Sequence, residues 1–209
     1  MDKFVERHEN EWPIARTQWT KFYLDPARHM LQPKPVAEEG HITFPAISDG
    51  ITFMTAPLEG ETEITGSIAL KLFLASSTID ADVFAVLRVF DPAGREIDFQ
   101  GALDPHTPIG NGWLRASHRK LDPDLTREYR PYHSHDEYQP LVRGEVYELD
   151  IEIWPTCLVV PAGCRIALTL LGKDLAPHGY RQPGDRVEPD AWLGSVPARQ
   201  PPRSPGRDL

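Results

Sequence analysis

Alternation of apolar and polar residues with a period of two dominates the chain from Thr62 to Lys173, and nothing constrains its fold more. In the stretch 145–153, Tyr147, Leu149, Ile151 and Ile153 point one way while Glu148, Asp150 and Glu152 point the other. Successive side chains of a strand leave opposite faces, so this segment is a strand with one core face and one wet face. Other apolar runs are closed by Pro, Gly or Asp. The residues therefore predict strands at 18–24, 51–56, 64–75, 82–90, 96–100, 113–119, 145–154, 157–160 and 164–171. About nine short strands in 209 residues fit an all-β jelly-roll sandwich better than a small barrel. Ile64, Ile68, Leu70, Leu72 and Leu74 share one face, whereas 83–90 is apolar on both faces apart from Arg88 and reads as a central, covered strand. Asp91-Pro92-Ala93-Gly94 has the composition of a type I turn and predicts a hairpin.

The remaining segments resist strand assignment. Phe4, Val5, His8 and Trp12 have near-helical spacing, which suggests a short helix in a connector that Pro13 interrupts. Residues 26–40 and 104–112 read as long surface loops. The polar stretch 122–140 carries Tyr129, Tyr132, His133, His135 and Tyr138, more aromatic surface than a simple connection needs, and is read as a contact loop. From Pro177 onward the composition turns to Pro, Arg and Gly, which cannot bury enough apolar surface to offset its ordering entropy. The expected organisation is a connector at 1–17, a sandwich at 18–176 and a disordered tail at 177–209, with Trp192 and Leu193 as an anchor.

Charge and cysteine content narrow the function. With 31 acidic and 22 basic residues the net charge is −9, which disfavours a phosphate backbone as partner. No run of about 18 apolar residues could span a bilayer, and the N-terminus lacks the pattern of a signal peptide, so a soluble cytoplasmic chain is expected. Cys157 and Cys164 are too few for a disulfide framework and are expected as two core thiols around the turn Pro161-Ala162-Gly163.

Candidate chemistry is sparse. Ala46-Ile47-Ser48-Asp49-Gly50 is a degenerate nucleophile elbow, but an elbow needs a following helix, and Ile51-Thr52-Phe53-Met54-Thr55 is β-branched and alternating. Ser48 is therefore read as a loop serine. His133, His135, Asp136 and Glu137 offer metal-ligating groups in one loop, yet no second cluster supplies the further ligands that would complete a site. Asp80 and Asp82 with Ser76 and Ser77 could coordinate calcium, although such residues more often solvate a turn. Trp12, Trp19, Trp113, Trp154 and Trp192 could build a sugar-stacking platform, but Trp113 and Trp154 are expected in the core. Arg115, Ser117 and Arg119 read as one polar strand face, suited to being covered by another domain. No catalytic residue, cofactor-binding residue or metal ligand is assigned.

Several segments in order resemble the C-terminal jelly-roll domain of the X-prolyl dipeptidyl-peptidase and cocaine-esterase-like serine hydrolases. They are Glu9-Asn10-Glu11-Trp12-Pro13 with the segment 16–24, Thr62-Glu63-Ile64-Thr65-Gly66, Ile79-Asp80-Ala81-Asp82-Val83-Phe84 leading to the 91–94 turn, Gly112-Trp113-Leu114-Arg115-Ala116-Ser117-His118-Arg119, and Ile151-Glu152-Ile153-Trp154-Pro155 running into Pro161-Ala162-Gly163. The resemblance implies a galactose-binding-like jelly roll that packs on an α/β-hydrolase domain and helps wall its active site. The family's catalytic triad lies upstream of the matching region, so no residue here inherits a catalytic role. Cys164 stands where the family usually has His, and the chain departs from the family after Lys173 and Asp174. A domain truncated in front and lacking its last strand is the resulting expectation, with an exposed sheet edge that would self-associate or bind a partner. A freestanding carbohydrate-binding module is the alternative on the same fold.

Overall fold

The computed structural model describes residues 6–100 and 106–174. Nine strands form in these residues: β1 (Tyr23–Asp25), β2 (Met30–Gln32), β3 (Ile51–Met54), β4 (Thr62–Ala75), β5 (Asp82–Phe90), β6 (Glu96–Ile97), β7 (Gly110–Arg115), β8 (Val146–Val160) and β9 (Arg165–Leu171). One 3-10 turn, Ala116–His118, follows β7. The hydrogen-bonded order is β1-β2-β3-β9-β5-β7-β8-β4, with β6 beside β5. No helix among the described residues is long and apolar enough to cross a membrane.

The sheet is nearly two sheets. β7 meets β8 through a single residue pair, Gly112 with Ile153, whereas β4 and β8 pair over their whole length. At that narrow junction the sheet curls, and the β4–β8 ribbon packs face to face on the layer β3-β9-β5-β7. Leu70, Leu149, Ile151, Ile153, Leu158 and Val160 from the ribbon form one core with Ile51, Phe53, Val83, Leu87, Val89, Ile166, Leu168 and Leu170 from the layer. Each fully buried Leu or Ile contributes about 1.5–3 kcal/mol of apolar transfer. This is the predicted all-β sandwich. β5 is central, flanked by β9 and β7, with Val83, Ala85, Val86, Leu87, Val89 and Phe90 all buried. The 91–94 turn closes the β5–β6 hairpin, where the Gly94 N–H donates to the Asp91 carbonyl at 2.9 Å and Gly94 sits at φ 79°.

Several sequence expectations need correction. The segments 145–154 and 157–160 are one strand, because β8 absorbs an extra residue as a bulge at Trp154 and Pro155. While β4 advances from Gly66 to Ile68, β8 runs from Thr156 to Ile153. The bulge shifts the alternation by one. Leu149, Ile151 and Ile153 face the core before it, and Thr156, Leu158 and Val160 after it. Cys157 is thereby turned to solvent, so only Cys164 is a core thiol, and both are free. The 26–40 loop contains β2, which pairs with β1 and anchors Leu31 in the core. Its turn is tied by Asp25, whose buried carboxylate accepts the Ala27 and Arg28 N–H groups at 3.0 and 3.1 Å. Residues 6–12 are not helical. A segment this short nucleates poorly in water, and its charges instead face β4: Arg7 bonds Glu63 at 2.8 Å, and Arg16 grips Glu9 at 2.9 and 2.7 Å. The expectation for 177–209, with Trp192 and Leu193, lies outside the described residues.

Among the described residues no strand pairs with the outer edge of β4.

Candidate functional site

The residues singled out for chemistry are mostly occupied by structural work. The Ser48 hydroxyl donates to the Pro45 carbonyl at 2.6 Å and accepts the Gly50 N–H at 3.2 Å, the geometry of a closed turn. The final Gly of the elbow-like motif has a packing cause: Gly50 sits at φ 72°, and a Cβ there would lie 2.1 Å from the Leu170 carbonyl oxygen. No helix follows, and no serine hydroxyl among the described residues bonds an imidazole. Asp80 holds a turn: its carboxylate accepts the N–H of Ala81 at 2.9 Å, and the N–H and hydroxyl of the fully buried Ser117 at 3.0 and 2.7 Å. Asp82 is paired across the β5–β7 ladder with Arg115, at 2.8 and 2.9 Å. Ser76 bonds Thr78, whose hydroxyl donates to the Asp80 carbonyl. The calcium candidates thus cap a strand end. Arg115, Ser117 and Arg119 do not share one face, because β7 ends at Arg115 and the 3-10 turn carries Ser117 inward.

The loop 119–140 is folded back against β7 and β8. Asp122 N–H donates to the Tyr132 carbonyl at 2.8 Å and Ser134 N–H to the Lys120 carbonyl at 3.1 Å, while Arg119 donates to the Gln139 carbonyl at 2.5 Å and lies 4.5 Å over the Tyr147 ring. Trp19 stacks on Tyr129 at 4.2 Å and 10°, tying the N-terminal segment to this loop. Lys120 claims the carboxylates of Asp136 and Glu137 at 3.0 and 3.2 Å, which removes them as ligands. No group of three or more metal-ligating residues occurs among the described residues.

The two histidines do gather, but with a third that the sequence did not flag. His135, at φ 53°, brings its Nδ1 to 3.3 Å from Nδ1 of His118, and its ring lies 6.0 Å from that of His133. Nε2 of His133 is buried without a partner. Burial holds the His133 pKa below the usual imidazole range, His135 lowers it further, and the Asp150 backbone and carboxylate pull it weakly upward. His133 is therefore neutral at pH 7.

These elements surround the most distinctive surface on the molecule. Trp113 and Trp154 were expected in the core, yet they are 52% and 59% exposed and pack on each other at 5.2 Å and 54°. Trp113 follows Gly112 on the solvent side of β7, and the alternation of β8 puts Trp154 on the wet face with Glu148, Asp150 and Glu152. Together with Pro131, Tyr132, His133, His135 and Glu152 they line a shallow cleft of about 260 Å³. Beside it on the same ribbon, Lys71 pairs with Glu148 and with Asp150, and Phe73 is 64% exposed. Glu152 and His118 were missed by sequence reasoning, whereas Tyr132 stands in the loop read as a contact loop. The alternation of 147–153 was the available signal for the exposure of Trp154, and Pro155 was the signal for the bulge that turns Cys157 outward, since Pro in a strand interior points to an edge or a bulge.

Comparison with known proteins places this geometry. A curated protein of Mycobacterium bovis named as a serine esterase is 34% identical over 154 residues, which cover 69% of this chain and 23% of that protein. A Mycobacterium tuberculosis protein of the same designation matches equally, again with 23% of its length covered. The chain thus spans less than a quarter of the curated relatives it matches. Among solved structures, a CocE/NonD family hydrolase from Staphylococcus aureus superposes with a TM-score of 0.77 at 23% identity, over 81% of this chain and 31% of the other. An aminopeptidase from a marine sediment Thaumarchaeota archaeon gives a TM-score of 0.60 at 14% identity, over 81% and 31% of the two chains. Both share the fold. Residues 1–190 match the family described as the X-Pro dipeptidyl-peptidase C-terminal non-catalytic domain, and the chain belongs to that family.

Proposed function

We propose that this chain is the β-sandwich domain that packs on an α/β-hydrolase domain and shapes the rim of its active site, with the Trp113–Trp154 face as the contact. The hydrolase domain would come from the same polypeptide or a separate one. Its reaction would be acyl ester or amide hydrolysis, or removal of X-Pro dipeptides, in the cytoplasm. The observation that carries the reading is the exposed aromatic face itself: Trp113 and Trp154 lie open to solvent and packed on each other, with Tyr132 lining the same cleft and Phe73 exposed on the same ribbon. Clustered exposed aromatics of this kind mark interaction surfaces. In this reading residues 1–17 form the connector, residues 18–176 the sandwich, and the chain supplies no nucleophile. The edge of β4, unpaired among the described residues, offers a lesser route to self-association.

A fluorophosphonate probe with a pull-down tests both halves of the reading. No serine of the chain should label, and the α/β-hydrolase domain should be retained by the wild-type chain but not by Trp113→Ala. Stoichiometric labelling, or retention unaffected by that substitution, overturns it.

One observation favours the carbohydrate-module reading, namely two exposed tryptophans beside a cleft. Their geometry disfavours it. Rings packed against each other at 54° form a wedge, not the two separated flat surfaces on which successive sugars stack. A glycan titration that shifts both indole signals would reinstate it.

A further inference from the structure

The Trp113–Trp154 cleft has a chemical bias that goes beyond its use as a contact. Its walls are largely aromatic: the two indoles form a wedge, and Tyr132 and Pro131 line the same cleft. The faces of such rings carry negative electrostatic potential. Glu152 adds a full negative charge to the same lining. On β8 the preceding acidic residues of that face, Glu148 and Asp150, are both paired with Lys71. Glu152 is the exception: it has no hydrogen bond or ion pair among the described residues and is only partly buried.

The basic groups that could neutralise it are committed elsewhere. Arg115 is held by Asp82 and Lys120 by Asp136 and Glu137; of the two lining imidazoles, His133 is held neutral by its burial and His135 has its Nδ1 3.3 Å from that of His118. The cleft therefore presents π faces, two imidazoles and one carboxylate without an ion-pair partner among the described residues. Its volume of about 260 Å³ lies below the roughly 300–1,000 Å³ typical of pockets for drug-sized ligands. It suits one small group.

We propose that this cleft binds an organic cation, a guanidinium or alkylammonium group, held between the Trp113, Trp154 and Tyr132 rings with its charge balanced by Glu152. Cations over aromatic faces are attracted by the ring quadrupole, and a carboxylate among the rings adds a charge contact that a neutral ligand of the same shape cannot use. The site needs only the cleft, so it stands or falls separately from the docking of a hydrolase domain.

The test is a titration of the full chain, labelled with ¹⁵N, followed at the indole Nε1–H signals. Choline and N-acetylarginine methylamide are the cationic probes, and 3,3-dimethyl-1-butanol is the neutral isostere of choline. Saturable shifts of Trp113 and Trp154 are expected with at least one cation, about five-fold or more stronger than with the isostere. Preference for the arginine derivative identifies a partner's side chain as the natural occupant, and preference for choline a free quaternary amine. Glu152→Gln, which keeps shape and exposure, should weaken the cation several-fold and leave the isostere unchanged. Trp113→Leu should abolish both responses. Equal binding of cation and isostere, an unaffected Glu152→Gln variant, or no shift with any probe would overturn the proposal.

Discussion

Gly112 lies so close to Glu152 that a Cβ on it would stand 2.2 Å from the Glu152 carbonyl oxygen. This is the point where β7 joins β8, through the single pair Gly112 with Ile153, so the absence of a side chain there permits the whole junction between the two halves of the sandwich. Gly112→Ala must push backbone from backbone. It should cost about 1–3 kcal/mol of stability, the usual penalty of overpacking, and broaden the Trp113 indole signal by disturbing its seat. Urea unfolding checks the first effect and NMR the second.

The buried Ser117 depends on Asp80, which satisfies both its N–H and its hydroxyl. Asp80→Ala strands these donors and should cost about 1–3 kcal/mol. Asp82→Ala breaks an ion pair between half-exposed partners and should cost at most about 1 kcal/mol. Denaturant melts of the two variants should differ clearly; equal losses would mean that Ser117 is satisfied in another way.

How much of this was legible beforehand follows from which rule each segment obeys. β5 was readable to the residue because its apolar run and the Asp91–Gly94 turn are local signals. The face of Ile64, Ile68, Leu70, Leu72 and Leu74 was readable for the same reason, since β4 keeps its phase throughout. Cys157 was misplaced because a bulge reverses the alternation, and hydrophobicity carries no mark of it; Trp154 was misplaced because the usual preference of Trp for the core was set above the alternation, which already put it on the face of Glu148, Asp150 and Glu152. Trp113 was misplaced by the general tendency of Trp in strands to pack inside. β2 is three residues long, held by a short hairpin with β1 and a single pair with β3, so it is too brief for an alternating pattern to announce it. His118 reaches His135 only through the fold of the loop, a relation that no spacing in sequence encodes.

The neutral, partly buried His133 gives the fold a pH dependence. Its pKa is depressed in the folded state, so the unfolded chain binds the extra proton more readily once the pH falls below the ordinary imidazole value of about 6.5. Stability should therefore be fully present above that value and decline as the pH drops from about 7 toward 5. The melting temperature of His133→Gln should vary less over the same range. Identical pH profiles of the two proteins would remove His133 as the cause.

Cys157 is exposed and Cys164 buried. A thiol reagent such as Ellman's should titrate one cysteine rapidly at neutral pH and the second only on unfolding. In Cys157→Ser the fast phase should vanish. Two fast thiols would contradict the bulge that places Cys157 on the outer face.

Hydroxyl-radical footprinting of Trp113 and Trp154, with and without an α/β-hydrolase domain as the proposed partner, tests the assignment of their face as the docking surface most directly. Both indoles should oxidise readily in the free chain and become protected in the complex, while Ile47, on the exposed turn beside Ser48, keeps its reactivity. Oxidation of Trp113 and Trp154 at the same rate in a saturated complex would contradict the account.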